Sequence, residues 1–156
     1  MTTLLLGVGH PDRADDSAGL LVVDLLATLP DVVARSVEAD PSDLLTDPLW
    51  DDADQVVIVD TVRTGAPAGT VFRWDTADLL DLLPTAVSGA HDLGIAMTIR
   101  LADALGRLPR ALTVYGIEGV NFETGEPPSH EVLAAAQEVA TTLEITIGGT
   151  TQAARG

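Results

Sequence analysis

Along this chain, short aliphatic runs alternate with longer stretches in which apolar positions recur every three or four residues. Residues 4–8 (Leu-Leu-Leu-Gly-Val) predict a first strand that ends among glycines. Apolar side chains at 18, 21, 22, 25, 26 and 29 then give helical spacing over residues 17–29, stopped by Pro30. Residues 32–38 predict a second strand. Residues 55–60, Gln-Val-Val-Ile-Val-Asp, are almost wholly aliphatic and therefore predict a central, doubly covered strand. Residues 70–74 alternate more and predict an edge strand. A short helix over 78–83 and a longer one over 93–105 follow, separated by the loop 88–92. Residues 111–117 predict the next strand. Ser129, behind Pro127 and Pro128, is placed to cap a last helix reaching about residue 143, with Glu131 in its first turn. Residues 144–147 read as a short terminal strand and residues 148–156 as a flexible tail. This is the rhythm of one α/β domain over residues 1–147, a mostly parallel twisted sheet with helices on both faces.

Charge narrows what such a domain meets. The 156 residues carry 24 acids against 8 bases, all arginine, for a formal charge of −16 and a pI near 4.1. A field of that sign repels phosphate backbones, and five aromatics (Trp50, Phe72, Trp74, Tyr115, Phe122) leave little to stack on bases, so no nucleic-acid partner is expected. With no cysteine, any metal must be held by oxygen or imidazole. The N-terminus lacks a basic stretch ahead of its apolar run, and no apolar window reaches the length of a membrane span. A cytoplasmic protein without membrane association, monomeric, is the expectation.

In open α/β sheets, ligands bind beyond the carboxyl ends of the strands, so the loops there are the places to look for chemistry. The first runs from Gly7 to Gly19. Its glycine pair suggests a dinucleotide turn, but Asp12 stands where a third glycine belongs, and Asp12, Asp15 and Asp16 would face a pyrophosphate. Either Asp15 or Asp16 alone could simply cap the helix. The second is Asp60, the charge that ends the aliphatic run; it either bonds loop amides or serves a site. The Asp60-Thr61 pair lacks the glycine of a pepsin-type motif, since Val62 follows. The third is His91, ahead of a helix. Asp16, Asp60 and His91 could converge on one crevice as two oxygens and an imidazole, a set that suits a borderline divalent ion. His10 and Glu118 lie at neighbouring strand ends as second-rank candidates, and His130 reads as a surface residue at a helix start.

These segments taken together resemble the nickel-iron hydrogenase maturation endopeptidases, which trim the C-terminal extension of the hydrogenase large subunit. The matching stretches are Leu6-Gly7-Val8-Gly9 through Asp15-Asp16-Ser17-Ala18-Gly19, Val57-Ile58-Val59-Asp60 and Ala90-His91-Asp92-Leu93-Gly94. Tyr115-Gly116-Ile117-Glu118-Gly119, Phe122-Glu123-Thr124-Gly125-Glu126 and the Ser129 helix follow in the family's order. The resemblance implies a three-layer sandwich and assigns the metal-contacting trio to Asp16, Asp60 and His91. It implies further that nickel already installed in the large-subunit precursor is what the trio engages, with no permanently bound cofactor. Two departures stand out: His10 replaces the usual asparagine, and Glu38-Ala39-Asp40-Pro41 lacks the paired glycines of some members. The segment from Gly116 to Phe122 resembles the subgroup serving cytoplasmic bidirectional or multisubunit hydrogenases. No serine, cysteine or lysine nucleophile stands in a recognisable setting.

Three functions compete on these residues. One is an endopeptidase acting on the nickel-loaded precursor; another is a metal-sensing chaperone that uses the same crevice without cutting; the third is a small-molecule hydrolase on the same fold.

Overall fold

A computed structural model of the chain describes residues 1–38, 41–88, 92–93 and 95–155. In chain order its elements are β1 (Thr3–Val8), a 3-10 turn (Ala14–Ser17), α1 (Ala18–Leu26), β2 (Val32–Val37), a 3-10 segment (Pro41–Thr46) and α2 (Pro48–Asp52). Then come β3 (Gln55–Arg63), β4 (Val71–Asp75), α3 (Thr76–Ser88), β5 (Asp92–Leu93), α4 (Ala96–Ala104), β6 (Leu112–Glu118) and α5 (His130–Arg155). The main sheet has the order β2-β1-β3-β6-β4, parallel except for β4. As expected, the all-aliphatic run is central and residues 71–75 form an edge.

Period-two alternation along the central strands divides the core into two layers. Even-numbered positions of β3, Val56, Ile58 and Val62, face α3, α4 and the Trp50 side chain of α2. Odd-numbered Val57 and Val59 face α1 and α5. Helices therefore cover both faces, as a three-layer sandwich requires. Trp50 is fully buried because its indole N–H reaches the Arg107 carbonyl at 2.7 Å, while the Arg107 guanidinium ties back to Leu45 and Asp51.

The chain passes from β1 outward to β2 and then returns to β3 on the other flank of β1, so the order of winding reverses between β1 and β3. That reversal opens a crevice at the carboxyl ends of these two strands. The β1 ladder on β3 stops with Gly7 opposite Val59, whereas β6 continues beside β3 to Val62. Beyond β1 the freed edge is taken by β5, which pairs Leu93 with Val62 and Asp92 with Arg63. Asp60 and Thr61 fall between the two ladders.

Helix α1 closes on this end of the sheet through glycine. A Cβ on Gly19 would lie 2.4 Å from the Val59 carbonyl oxygen and 2.8 Å from that of Val8, so only a bare backbone allows the approach. The helix start is thereby seated over β1 and β3.

Several expectations are corrected. The helix expected over 78–83 runs over Thr76–Ser88, because Asp75 and Asp78 each accept the other's backbone N–H in a reciprocal cap and Pro84 is accommodated within it. The strand expected at 144–147 is helical. The β-branched run Ile145-Thr146-Ile147 loses to helix propagation from Val132 onward, with Val139, Leu143 and Ile147 stacked on one buried stripe and the Thr146 hydroxyl bonded to the Thr142 carbonyl. The backbone then continues as helix through Gly148 and Gly149 to Arg155, across most of the segment expected as a tail. The elements at residues 41–52 and the two-residue β5 carry no clear periodicity and were not expected.

Gly19→Ala should lower stability by about 3 kcal/mol, the upper range for an overpacked core, because two backbone carbonyls cannot move aside. Gly106→Ala, where nothing lies within 4 Å of the added Cβ and only a φ of +67° is strained, should cost about 1 kcal/mol. Urea denaturation of both variants checks the contrast.

Candidate active site

Two adjacent aspartates in the first loop have opposite fates. Ala14, held at a φ of +47°, turns the chain so that Asp15 points inward and is fully buried, while Asp16 remains half-buried. One oxygen of Asp15 accepts the Ser129 amide at 2.7 Å and the Ser129 hydroxyl at 2.5 Å. The other accepts the amides of Val120 and Asn121, both at 2.9 Å. The backbone of Asp15 adds two more links, its N–H donating to the Asn121 carbonyl and its carbonyl accepting the Thr61 hydroxyl. Burial pushes the Asp15 carboxyl up, but the bonds from Ser129, Asn121 and Val120 outweigh it and hold the group below the usual aspartate range. Asp15 thus fastens the β1–α1 loop to β3 and to the β6–α5 loop. Ser129, expected as a cap, gives its hydroxyl to Asp15, and only its carbonyl serves the start of α5, accepting from Val132 and Leu133.

Asp16 stands at the other side of the same turn. Its carbonyl accepts the His10 amide at 3.3 Å, and a Cβ on Gly9 would lie 1.9 Å from that oxygen, so the second glycine of the loop is required for the turn to close. Burial raises the Asp16 carboxyl above the usual range, and the neighbouring His10, Arg13 and Arg63 offset only part of that rise. His10 itself is exposed.

Asp60 is 3% exposed, and its Oδ1 accepts the Thr61 amide at 2.8 Å. It lies one residue beyond Val59, whose carbonyl is covered by Gly19, so Asp16 and Asp60 flank the seat of α1 at one end of the sheet. His91, the third member of the sequence-derived trio, lies outside the described residues. Among the described residues no three histidine, aspartate or glutamate side chains form a group able to hold a metal ion. The donors they do supply near the site are the carboxylates of Asp16 and Asp60, with the imidazole of His10 neighbouring Asp16.

Glu118, the second-rank candidate at the end of β6, holds a neighbouring loop. Only 2% exposed, it accepts the Thr64 amide through both oxygens, at 3.1 and 2.9 Å, and the Thr64 hydroxyl at 2.5 Å, which pins the β3–β4 loop. His130 is exposed at the start of α5, as expected. Sequence reasoning missed Arg63, whose guanidinium carbon lies 3.7 Å from the centre of the Phe122 ring. The two are 59 positions apart, and nothing in their local patterns joins them.

The opposite shifts at Asp15 and Asp16 give a test. Removing the Asp15 charge while leaving its four donors buried should cost Asp15→Asn about 3 kcal/mol at pH 7. Because the folded pKa of Asp15 is depressed, its contribution is complete above the unfolded value of about 3.9 and is lost as pH falls through the lower folded value. For Asp16 the sign reverses: stability is lost as pH rises from about 3.9 through the raised folded value. Asp16→Asn should therefore be at least as stable as the parent at pH 7. Thermal unfolding from pH 3 to pH 8 reads both slopes.

Comparison with known proteins places this geometry. A family model described as HycI, hydrogenase maturation protease, matches residues 41–145, which include Asp60 but not Asp16. No curated protein matches the chain in sequence. Among solved structures, the hydrogenase 2 maturation peptidase of Thaumarchaeota archaeon SCGC_AB-539-E09 is 27% identical, with a TM-score of 0.69 over 95% of this chain and 99% of that one. The endopeptidase HycI of Escherichia coli is 24% identical, with a TM-score of 0.73 over 92% and 90%. HybD of E. coli shares the fold at 22% identity and a TM-score of 0.70, over 94% of each chain. The model's match runs through well over half of the sequence, and on that match the chain belongs to the hydrogenase maturation protease family and is an endopeptidase.

Proposed function

We propose that this endopeptidase removes the C-terminal extension from the precursor of a nickel-iron hydrogenase large subunit, and that it does so once nickel is in place in that precursor. The observation that carries the reading is Asp60, a carboxylate buried at the end of an otherwise aliphatic β3, where the winding of the sheet reverses and Asp16 stands across the seat of α1. A buried acid at such a crevice is the usual mark of a working group.

The nickel belongs to the substrate. A chain with no thiolate offers it carboxylate oxygens and imidazole, and a set of three side chains leaves coordination positions open, which suits it to touch an ion already ligated by the precursor. Asp16, Asp60 and His91 form the proposed contact set, His91 entering through the family resemblance of its segment. Asp16, half open to solvent and made more basic by burial, is the better placed of the two acids to take the proton of an attacking water. An unloaded precursor would leave the two carboxylates facing each other across the crevice, which disfavours its binding. No helix among the described residues is long and apolar enough to cross a membrane.

The test uses precursor purified from nickel-replete and nickel-starved cells, mixed with metal-free enzyme and followed by mass spectrometry. Peptide should be released from the loaded precursor alone. Asp60→Asn and Asp16→Asn should lower kcat by a factor on the order of a hundred or more while unfolding cooperatively. Equal cleavage of both preparations under chelator would refute nickel-dependent recognition, and a stable complex without cleavage would instead indicate a chaperone.

A further inference from the structure

We infer that Arg63 and Phe122 form a seat for a carboxylate of the substrate, set at the mouth of the crevice on the carboxyl end of β3. The assignment rests on the proposed processing of a C-terminal extension and adds to it a recognition element that the trio does not contain.

In a chain with three times as many acids as bases, an exposed arginine would be expected to find an acidic partner. Arg35 and Arg107 do, with Asp47 and Asp51 respectively. Arg63, like Arg13, Arg73, Arg100 and Arg110, makes no ion pair with a described residue, and what sets it apart is the ring of Phe122. The stack covers one face of the guanidinium and leaves the N–H edges, the part that binds oxygen bidentately, open for an acceptor. Phe122 is itself held in place. Asp15 accepts the amide of Asn121 beside it, and the ring edge lies against Gly119, where a Cβ would approach it to 2.9 Å.

Position joins this cation to the chemistry. Arg63 is the last residue of β3, three beyond Asp60, with its backbone paired to Asp92 in β5. It is also one of the groups whose charge reaches Asp16. The surrounding field is negative, so a free carboxylate is repelled from most of this surface and attracted at this point, which makes the interaction selective for an anionic group in one register of the peptide. The carboxylate can come from an acidic side chain within the extension or from the terminus of the precursor, and the two sources are separable.

Steady-state cleavage of nickel-loaded precursor by the parent enzyme, Arg63→Gln and Phe122→Leu reads the seat. Arg63→Gln should raise KM about tenfold with kcat unchanged, as loss of a charge-assisted hydrogen bond made equally in ground and transition states. Phe122→Leu should raise KM by a smaller factor, since the cation remains but is no longer oriented. The same enzymes are then given two altered precursors, one with the acidic side chains of the extension converted to their amides, the other lengthened by a glycine-serine tail that moves the terminal carboxylate away. The effect of Arg63→Gln should vanish on one of them: on the first if the carboxylate is a side chain, on the second if it is the terminus. An unchanged KM, a fall in kcat alone, or a tenfold effect that persists on both altered precursors overturns the assignment. Binding of a synthetic extension peptide, measured by fluorescence anisotropy, gives a readout apart from cleavage. If the parent enzyme cleaves no precursor, the processing reading fails while weaker peptide binding by Arg63→Gln still upholds the seat; equal peptide binding refutes it.

Discussion

The carboxylate of Asp15 is the constraint on which the carboxyl end of the sheet depends. It is buried, it carries charge, and it is tolerable there only because four donors from two other segments converge on it. Those donors lie more than a hundred positions away in the sequence, so one side chain joins the first loop of the fold to the last. Asp15 is committed inward, and its neighbour Asp16 is left half-buried in the same 3-10 turn.

Beneath that joint, close approach does the rest. Gly19 brings α1 onto the carbonyls of Val8 and Val59, and the crevice sits where the winding reverses beside it. Asp60 enters at the end of a strand whose other residues are apolar, and it comes through on the rigid centre of the sheet. Of the two acids proposed for the site, one stands on a rigid strand and the other on a loop.

Much of this was legible in the sequence. Periodicity placed β1, β3, β6 and the starts of the main helices to within a few residues, and the aliphatic run ending in Asp60 identified the central strand. What escaped notice is instructive. In the pair Asp15-Asp16 no local signal says which acid turns inward, because the donors that decide it come from Val120, Asn121 and Ser129. Ser129 has the pattern of a helix cap, and a distant carboxylate takes its hydroxyl. Ile145-Thr146-Ile147 has strand propensity, and a helix begun fifteen residues earlier, at His130, overrides it. Arg63 and Phe122 meet only because β3 and the loop after β6 end side by side. In each case the missing information is a long-range partner, which spacing along the chain cannot encode.

The two ladders that border Asp60 differ greatly in length, β6 running beside β3 from Val56 to Val62 and β5 holding only Val62 and Arg63. Resistance to local opening follows the number of hydrogen bonds that must break together, so amide protection in the native state should be steeply lopsided across this strand end. The flank toward β6 exchanges only when the sheet itself comes apart. The flank toward β5, held by two residue pairs, opens at smaller cost.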